Sequence, residues 1–207
     1  MKTTTIDVPV LSELTFEEQK HIYKLNGIVI PSVTTVMKPL SSALYKGIDE
    51  AVLNAAAKKG TAVHNAVENY TRFGIVDINP EYQGYMDAYI SWCENFSPQP
   101  IASESKIYHK ILRYAGTSDM IAMIDEKLIL IDFKTSSSVN KMLTGVQLEA
   151  YAKAYESHGL IVDGKAILRL KKNGKYDWVF YESNDSESWE VFGALLTVLN
   201  HIEKFRK

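Results

Sequence analysis

Asp132 and Lys134 stand two residues apart in Ile131-Asp132-Phe133-Lys134-Thr135, and their pairing is the first feature of the sequence that packing explains poorly. In an extended segment they leave one face while Ile131 and Phe133 leave the other. A second aspartate, Asp119, follows Gly116-Thr117-Ser118 and precedes the apolar run MIAMI. The polar tip Asp125-Glu126-Lys127 separates that run from LILI, so the stretch reads as a β-hairpin with one aspartate on each strand. Two convergent carboxylates form a hard-oxygen site for Mg2+ or Mn2+. Such an ion polarises a phosphodiester and acidifies bound water. A neighbouring lysine can orient or deprotonate that water and offset charge on the transition-state oxygens. A bare Asp-x-Lys is also a common solvated surface pair, so the flanking residues decide.

Further candidates lie on both sides. In Gly60-Thr61-Ala62-Val63-His64-Asn65-Ala66-Val67-Glu68 the glycine permits close backbone approach and Thr61 can cap a helix. His64 and Glu68 share a helical face. A neutral His64 is either a metal ligand oriented by Glu68 or an ordinary helical histidine. Glu104, the acid of IASESKIYH, is a third carboxylate or an exposed edge charge. Thr135 opens the loop TSSSVNKMLTG, after which a helix over about 144–158 carries Gln147 and Tyr151 four residues apart. Gln147 suits a phosphate or a metal-bound water, and Tyr151 a sugar or base; a plain amphipathic crossover is the competing account. Lys165, Arg169, Lys171, Lys172 and Lys175 form a run without an intervening acid, which fits either a phosphate backbone or a solvated face.

The elements that position these residues follow from periodicity and turn signals. Residues 1–20 give no clear pattern. His21 to Ile30 reads as a hairpin about Asn26-Gly27, a pair suited to a type I′ turn. Ser32, Thr34 and Thr35 then leave it, as phosphate-contacting hydroxyls or as a plain strand exit before a helix capped by Ser41 or Ser42. Residues 42–73 read as helical with a break near Lys59-Gly60-Thr61. Residues 80–96 form an amphipathic helix whose stripe Tyr82, Tyr85, Tyr89 and Trp92 suits a core better than a stacking platform. A strand follows over 101–109, a hairpin over 164–181 with Asn173-Gly174 at its tip, and a helix from Asn184 to the end.

At 207 residues and 46% hydrophobic, the chain suits one domain, residues 1–207, with one good core. Within it fall N-terminal hairpin and helices (about 1–100), a catalytic core (about 60–160), and a basic hairpin and final helix (about 164–207). A formal charge of −2 excludes a global nucleic-acid footprint, so such binding must be local. The single cysteine, Cys93, excludes a disulfide framework or a cysteine-ligated cluster within one chain. Neither a signal-peptide core nor a membrane-span run is present, so the expectation is a soluble, intracellular protein.

GTAVH with Glu68, then Glu104, GTSDMIAMI, IDFKTS and QLEAYAKAY resemble, in order, the motifs of the PD-(D/E)XK nuclease superfamily. The chain looks most similar to the RecB-like branch with its Cas4-like nucleases and phage exonucleases, and to the mitochondrial genome-maintenance exonuclease. The pattern around residues 21–35 resembles the last of these. The resemblance covers about residues 21–160. It implies an α/β (α+β) restriction-endonuclease-like fold, a mixed central β-sheet flanked by helices. It further implies metal held by His64, Asp119, Asp132 and the Phe133 carbonyl, with Lys134 catalytic. Glu104, Gln147 and Tyr151 would support the site or hold DNA, and Glu68 would be a supporting acid; outside the resemblance, the charge pattern adds Arg169, Lys171, Lys172 and Lys175, with Thr135, as DNA-binding candidates. The activity implied is a Mg2+- or Mn2+-dependent deoxyribonuclease, most simply an exonuclease of phage or of recombination and repair in bacterial or phage-infected cytoplasm. It would act on single- or double-stranded DNA with an end, with a recombination or single-strand-binding protein as a possible partner. The alternatives are a structure-specific endonuclease on the same fold and a non-catalytic nucleic-acid-binding protein. The chain departs from some relatives in lacking cysteines for an Fe–S cluster, and from others in lacking an ATP-binding phosphate loop.

Overall fold

The computed structural model describes residues 6–205. At its centre β5 (Ala115–Ile124) and β6 (Lys127–Lys134) form the expected hairpin, paired from Met120↔Ile131 to Ile124↔Lys127. Asp125 and Glu126 make the turn with φ of 49° and 63°, the left-handed pair that matches the twist of a two-residue hairpin. β4 (Gln99–Tyr108) flanks β5, and β7 (Gly164–Leu170) and β8 (Tyr176–Tyr181) continue the sheet in the order β4-β5-β6-β7-β8. Only β6 and β7 run parallel, and the connection between them carries α5 (Lys141–Glu156). A parallel pair needs such a crossover. The result is the expected mixed sheet flanked by helices.

Both faces of this sheet are covered, which explains why MIAMI and LILI are continuous apolar runs. Ile121, Leu128, Leu130 and Ile167 pack with α1 (Val33–Val36), α5 and α6 (Ser186–Phe205) on one face. Met120, Ile129, Ile131, Phe133 and Leu168 pack with α3 (Glu50–Phe73) and α4 (Gln83–Phe96) on the other. Parity therefore puts Asp132 and Lys134 in phase with Leu130, toward α5, and Asp119 in phase with Ile121 on that same side.

The N-terminal residues add a three-stranded antiparallel sheet of β1 (Leu14–Glu17), β2 (Ile22–Leu25) and β3 (Ile28–Ile30). Asn26 and Gly27, at φ 51° and 78°, make the expected turn. The small sheet is tied to β5 at its start: Ala115 N–H donates to the Pro31 carbonyl at 2.9 Å, and the Tyr23 and Thr117 hydroxyls are 2.8 Å apart.

Several boundaries differ from the sequence reading. β1 falls where no pattern was legible. The serine that caps is Ser32, whose Oγ accepts from Thr35 N–H; Ser41 and Ser42 lie inside α2 (Lys38–Leu44). α3 runs unbroken through Lys59-Gly60-Thr61, capped by Asp49, and Thr61 donates back to the Ala57 carbonyl at 3.2 Å instead of capping. Packing of Val63, Ala66 and Val67 outweighs the modest helix cost of one glycine. Among the described residues no helix is long and apolar enough to cross a membrane.

Lys165 is not part of a basic surface. It is fully buried and donates to Glu149 of α5, which is equally buried and also accepts from Asp185 N–H at 3.3 Å. Removing one partner of such a pair strands a buried charge. Lys165→Met is expected to lose about 3–5 kcal/mol of unfolding free energy, and Lys165→Met with Glu149→Leu to regain most of it. Chemical denaturation of both variants checks this; equal losses would show that the pairing is not what matters.

Candidate active site

The site forms where the β5–β6 ladder ends. Beyond Met120↔Ile131 the strands no longer pair, and Phe133 N–H donates to Asp119 Oδ2 at 2.6 Å instead of to a backbone carbonyl. That bond satisfies a buried donor and fixes the Asp119 carboxylate. His64 reaches over from α3, with Nδ1 at 3.4 Å from Asp119 Oδ1 and Nε2 at 3.1 Å from the Phe133 carbonyl. On β4, Glu104 adopts φ 48° and falls between the ladder pairs Ser103↔Met120 and Ser105↔Ser118, level with Asp119. Ligand atoms of His64, Glu104 and Asp119 all lie within 4.8 Å of one another.

Asp132 is 4% exposed and turned toward Lys134. Its Oδ2 forms an ion pair with Lys134 Nζ at 2.6 Å. Lys134 also donates to Gln147 Oε1 at 3.1 Å. Tyr151, one helical turn further along α5, is buried against Gly116, where a Cβ would come within 2.5 Å of the ring. Here the glycine is required by contact with the tyrosine.

The electrostatics are those of carboxylates crowded in a dry place. Burial, reinforced by Asp119, pushes Glu104 up to about 7. Burial also pushes Asp132 up to about 6, with Asp119 adding to the shift and Lys134 opposing it. Burial disfavours charge on His64, but the Asp119 carboxylate outweighs it and raises the imidazole to about 9. Asp119 is itself buried, yet His64, Lys134 and the Phe133 amide hold it below the ordinary carboxylate range. Lys134 rises above its usual value, because Asp132 and Asp119 more than offset desolvation. It is an ammonium at neutral pH, and so a donor rather than a base.

The donor set fits a hard divalent cation: two carboxylates and an imidazole within mutual reach, with the buried Asp132 carboxylate on the next strand. Asp132 lies outside the tight trio, and Glu104, the more ambiguous residue in sequence, lies inside it. Glu68 makes an ion pair with Arg72 at 2.8 Å, and the groups that hold His64 are Asp119 and the Phe133 carbonyl. Glu68 acts on the site by charge alone, through Glu104.

The basic hairpin is internally compensated. Asp177 on β8 pairs with both Arg169 and Lys171, and Arg169 also donates to the Ser137 carbonyl. Lys172 faces Glu81 at 3.6 Å, and Lys175 is exposed. Arg169, Lys171, Lys172 and Thr135 nonetheless line one cleft together with Lys59, the neighbour of Gly60, which lines the His64 cavity. A Cβ at Gly60 would lie 3.9 Å from Thr135 Oγ1. The sequence reading missed Asp177 because it stopped at Lys175, and it missed that Phe16, His21 and Tyr23 line the His64 cavity. No local signal places those aromatics there; the tertiary contact of the small sheet with β5 does.

No protein-family model matches the chain, and no curated protein matches its sequence. Among solved structures it is similar to SSO0001 at 17% identity, with 81% of this chain and 74% of that one covered and a TM-score of 0.45. It is also similar to the alkaline exonuclease LHK-Exo from Laribacter hongkongensis (14% identity, 67% and 81% covered, TM-score 0.41). For LHK-Exo in complex with dAMP the values are 12% identity, 84% and 88% covered, and a TM-score of 0.40.

Protons compete with a cation for Glu104 and His64. With these groups at about 7 and about 9, Mn2+ affinity is expected to rise with pH from about 6 to about 9 and to release protons on binding. Calorimetry in buffers of different ionisation enthalpy counts those protons. Affinity that stays flat across this range would show that neither group receives the ion.

Proposed function

We propose that this chain is a metal-dependent nuclease of the PD-(D/E)XK type, of its RecB-like branch, that hydrolyses phosphodiester bonds of DNA from an end. The observation that carries this reading is the buried Asp132–Lys134 pair on one strand face beside Asp119, with His64 and Glu104 converging on that aspartate. Packing has no use for three carboxylates, a lysine and a histidine at one sheet end, because each charge there must be desolvated. A hydrolytic centre needs each of them.

His64, Glu104 and Asp119 would hold Mg2+ or Mn2+, with Asp132 and the Phe133 carbonyl on its β6 side. When bound, the ion supplies positive charge at a phosphodiester oxygen and lowers the pKa of a coordinated water. Lys134 is held between Asp132 and Gln147 and kept protonated, so its ammonium is preorganised to donate to the attacking water and to phosphoryl oxygens as charge builds on them. Gln147 positions Lys134. The cleft lined by Lys59, Arg169, Lys171 and Lys172 is the surface for the polynucleotide backbone, where phosphates would exchange with Asp177 for Arg169 and Lys171.

Incubation with Mg2+ or Mn2+ of linear and circular DNA, each single- and double-stranded, tests this reading. Linear substrates should be consumed and circles spared. Cut circles would convert the reading to an endonuclease, and no cleavage of any DNA would remove it. Lys134→Ala is expected to keep the fold, by circular dichroism, and to lose about 100-fold or more in cleavage rate. Asp132→Asn should be similarly impaired, whereas full activity in Lys134→Ala would take the lysine out of the mechanism.

A further inference from the structure

The cavity beside His64, Glu104 and Asp119 has a wall for which hydrolysis has no use. Its volume is about 470 Å3 and its N-terminal side is lined by Phe16, His21 and Tyr23. Phe16 and Tyr23 are cross-strand partners with ring centroids 4.4 Å apart and planes at 31°. His21 stands edge-on to both, at 5.1 Å and 5.8 Å. Tyr23 is buried and anchored through its hydroxyl to Thr117, two residues before Asp119, so the cluster is fixed relative to the site.

Cross-strand pairing accounts for Tyr23 and for part of Phe16. It does not account for His21. That ring is exposed; its backbone, at φ 52°, is the left-handed C-cap of the short 3-10 helix Glu18–Lys20, with its N–H donating to the Glu18 carbonyl at 3.1 Å. The exposed ring lies on the wall of the cavity beside the half-buried Phe16. The rest of this wall carries the hydroxyls of Ser32 and Thr34, the Asn65 amide and the Glu18 carboxylate, and no lysine or arginine lines the cavity. Bearing an acid and no cation, this wall is ill suited to a phosphate and presents a face for a flat, partly polar ring, and the size of the cavity lies within the range of about 300–1,000 Å3 that takes a small ligand.

We infer that Phe16 and His21 form a nucleobase subsite, which stacks the base of the nucleotide adjoining the bond that is cut. Its place in the reaction rests on the nuclease reading of the neighbouring site; the stacking itself does not. The scissile phosphate then lies at the His64, Glu104 and Asp119 side of this cavity, the base on its aromatic wall, and phosphates further along the strand in the cleft lined by Lys59, Arg169, Lys171 and Lys172. The exposed Lys106 ammonium, 6.0 Å from the Phe16 ring centroid, contributes positive charge next to that ring.

The test uses 2-aminopurine deoxyribonucleoside monophosphate, which has no phosphodiester bond to cleave and whose fluorescence falls on stacking. Wild type should quench it, and His21→Ala and Phe16→Leu should each weaken binding about tenfold, in the range of one lost base stack. His21→Phe should restore it, and deoxyribose phosphate without a base should fail to compete. Since His21 is exposed, its variants do not depend on refolding of the small sheet, and thermal melting checks Phe16→Leu. Equal quenching by wild type and both variants would overturn the subsite, as would effective competition by the base-free sugar. DNA cleavage without quenching would remove the subsite and leave the nuclease reading standing. Quenching without cleavage of any DNA would do the reverse.

Discussion

One hydrogen bond organises the site: Phe133 N–H to Asp119 Oδ2 at 2.6 Å. A sheet interior would have given that donor a carbonyl, and the carboxylate takes its place where the two strands diverge. Two consequences follow from the exchange. Asp119 is immobilised without a basic residue bonded to it on that oxygen. The Phe133 carbonyl is left pointing out of the ladder, where His64 meets it at 3.1 Å. Strand parity separately puts Asp132 and Lys134 on the side covered by α5, where Gln147 completes the lysine's contacts.

The arrangement is electrostatically costly in isolation. Glu104, Asp119 and Asp132 are desolvated together, and Lys134, His64, Lys106 and the Phe133 amide oppose the cost. The protein tolerates the carboxylates in part by holding protons, which is why Glu104 and Asp132 sit near neutrality and His64 well above it. The surrounding sheet supplies the rigidity. Both its faces are packed, and the large buried aromatics Tyr89, Trp92, Tyr114 and Phe192 lie on either side of it.

Much of this was legible in the sequence because it is local. The alternation in Ile131-Asp132-Phe133-Lys134, the turn tips and the spacing of Gln147 and Tyr151 each express a periodicity that the backbone enforces. Glu104 could not be resolved from its strand alone; its place depends on a positive φ and on register with Asp119, both tertiary. The helix through Gly60 shows packing overriding propensity. Lys165 was misread as basic surface although it is in phase with the inward Ile167, and its partner Glu149 lies sixteen residues away on a helix whose orientation no spacing reveals. The aromatic wall was invisible for the same reason, since it depends on where the small sheet docks.

The compensation of the basic hairpin changes what a polyanion would experience there. Arg169 and Lys171 already share Asp177, and Lys172 lies near Glu81, so fewer net charges are left to neutralise phosphates and release the cations condensed on a polynucleotide. Under the proposed reading, the affinity of this surface for DNA would depend on ionic strength less steeply than its basic residues suggest.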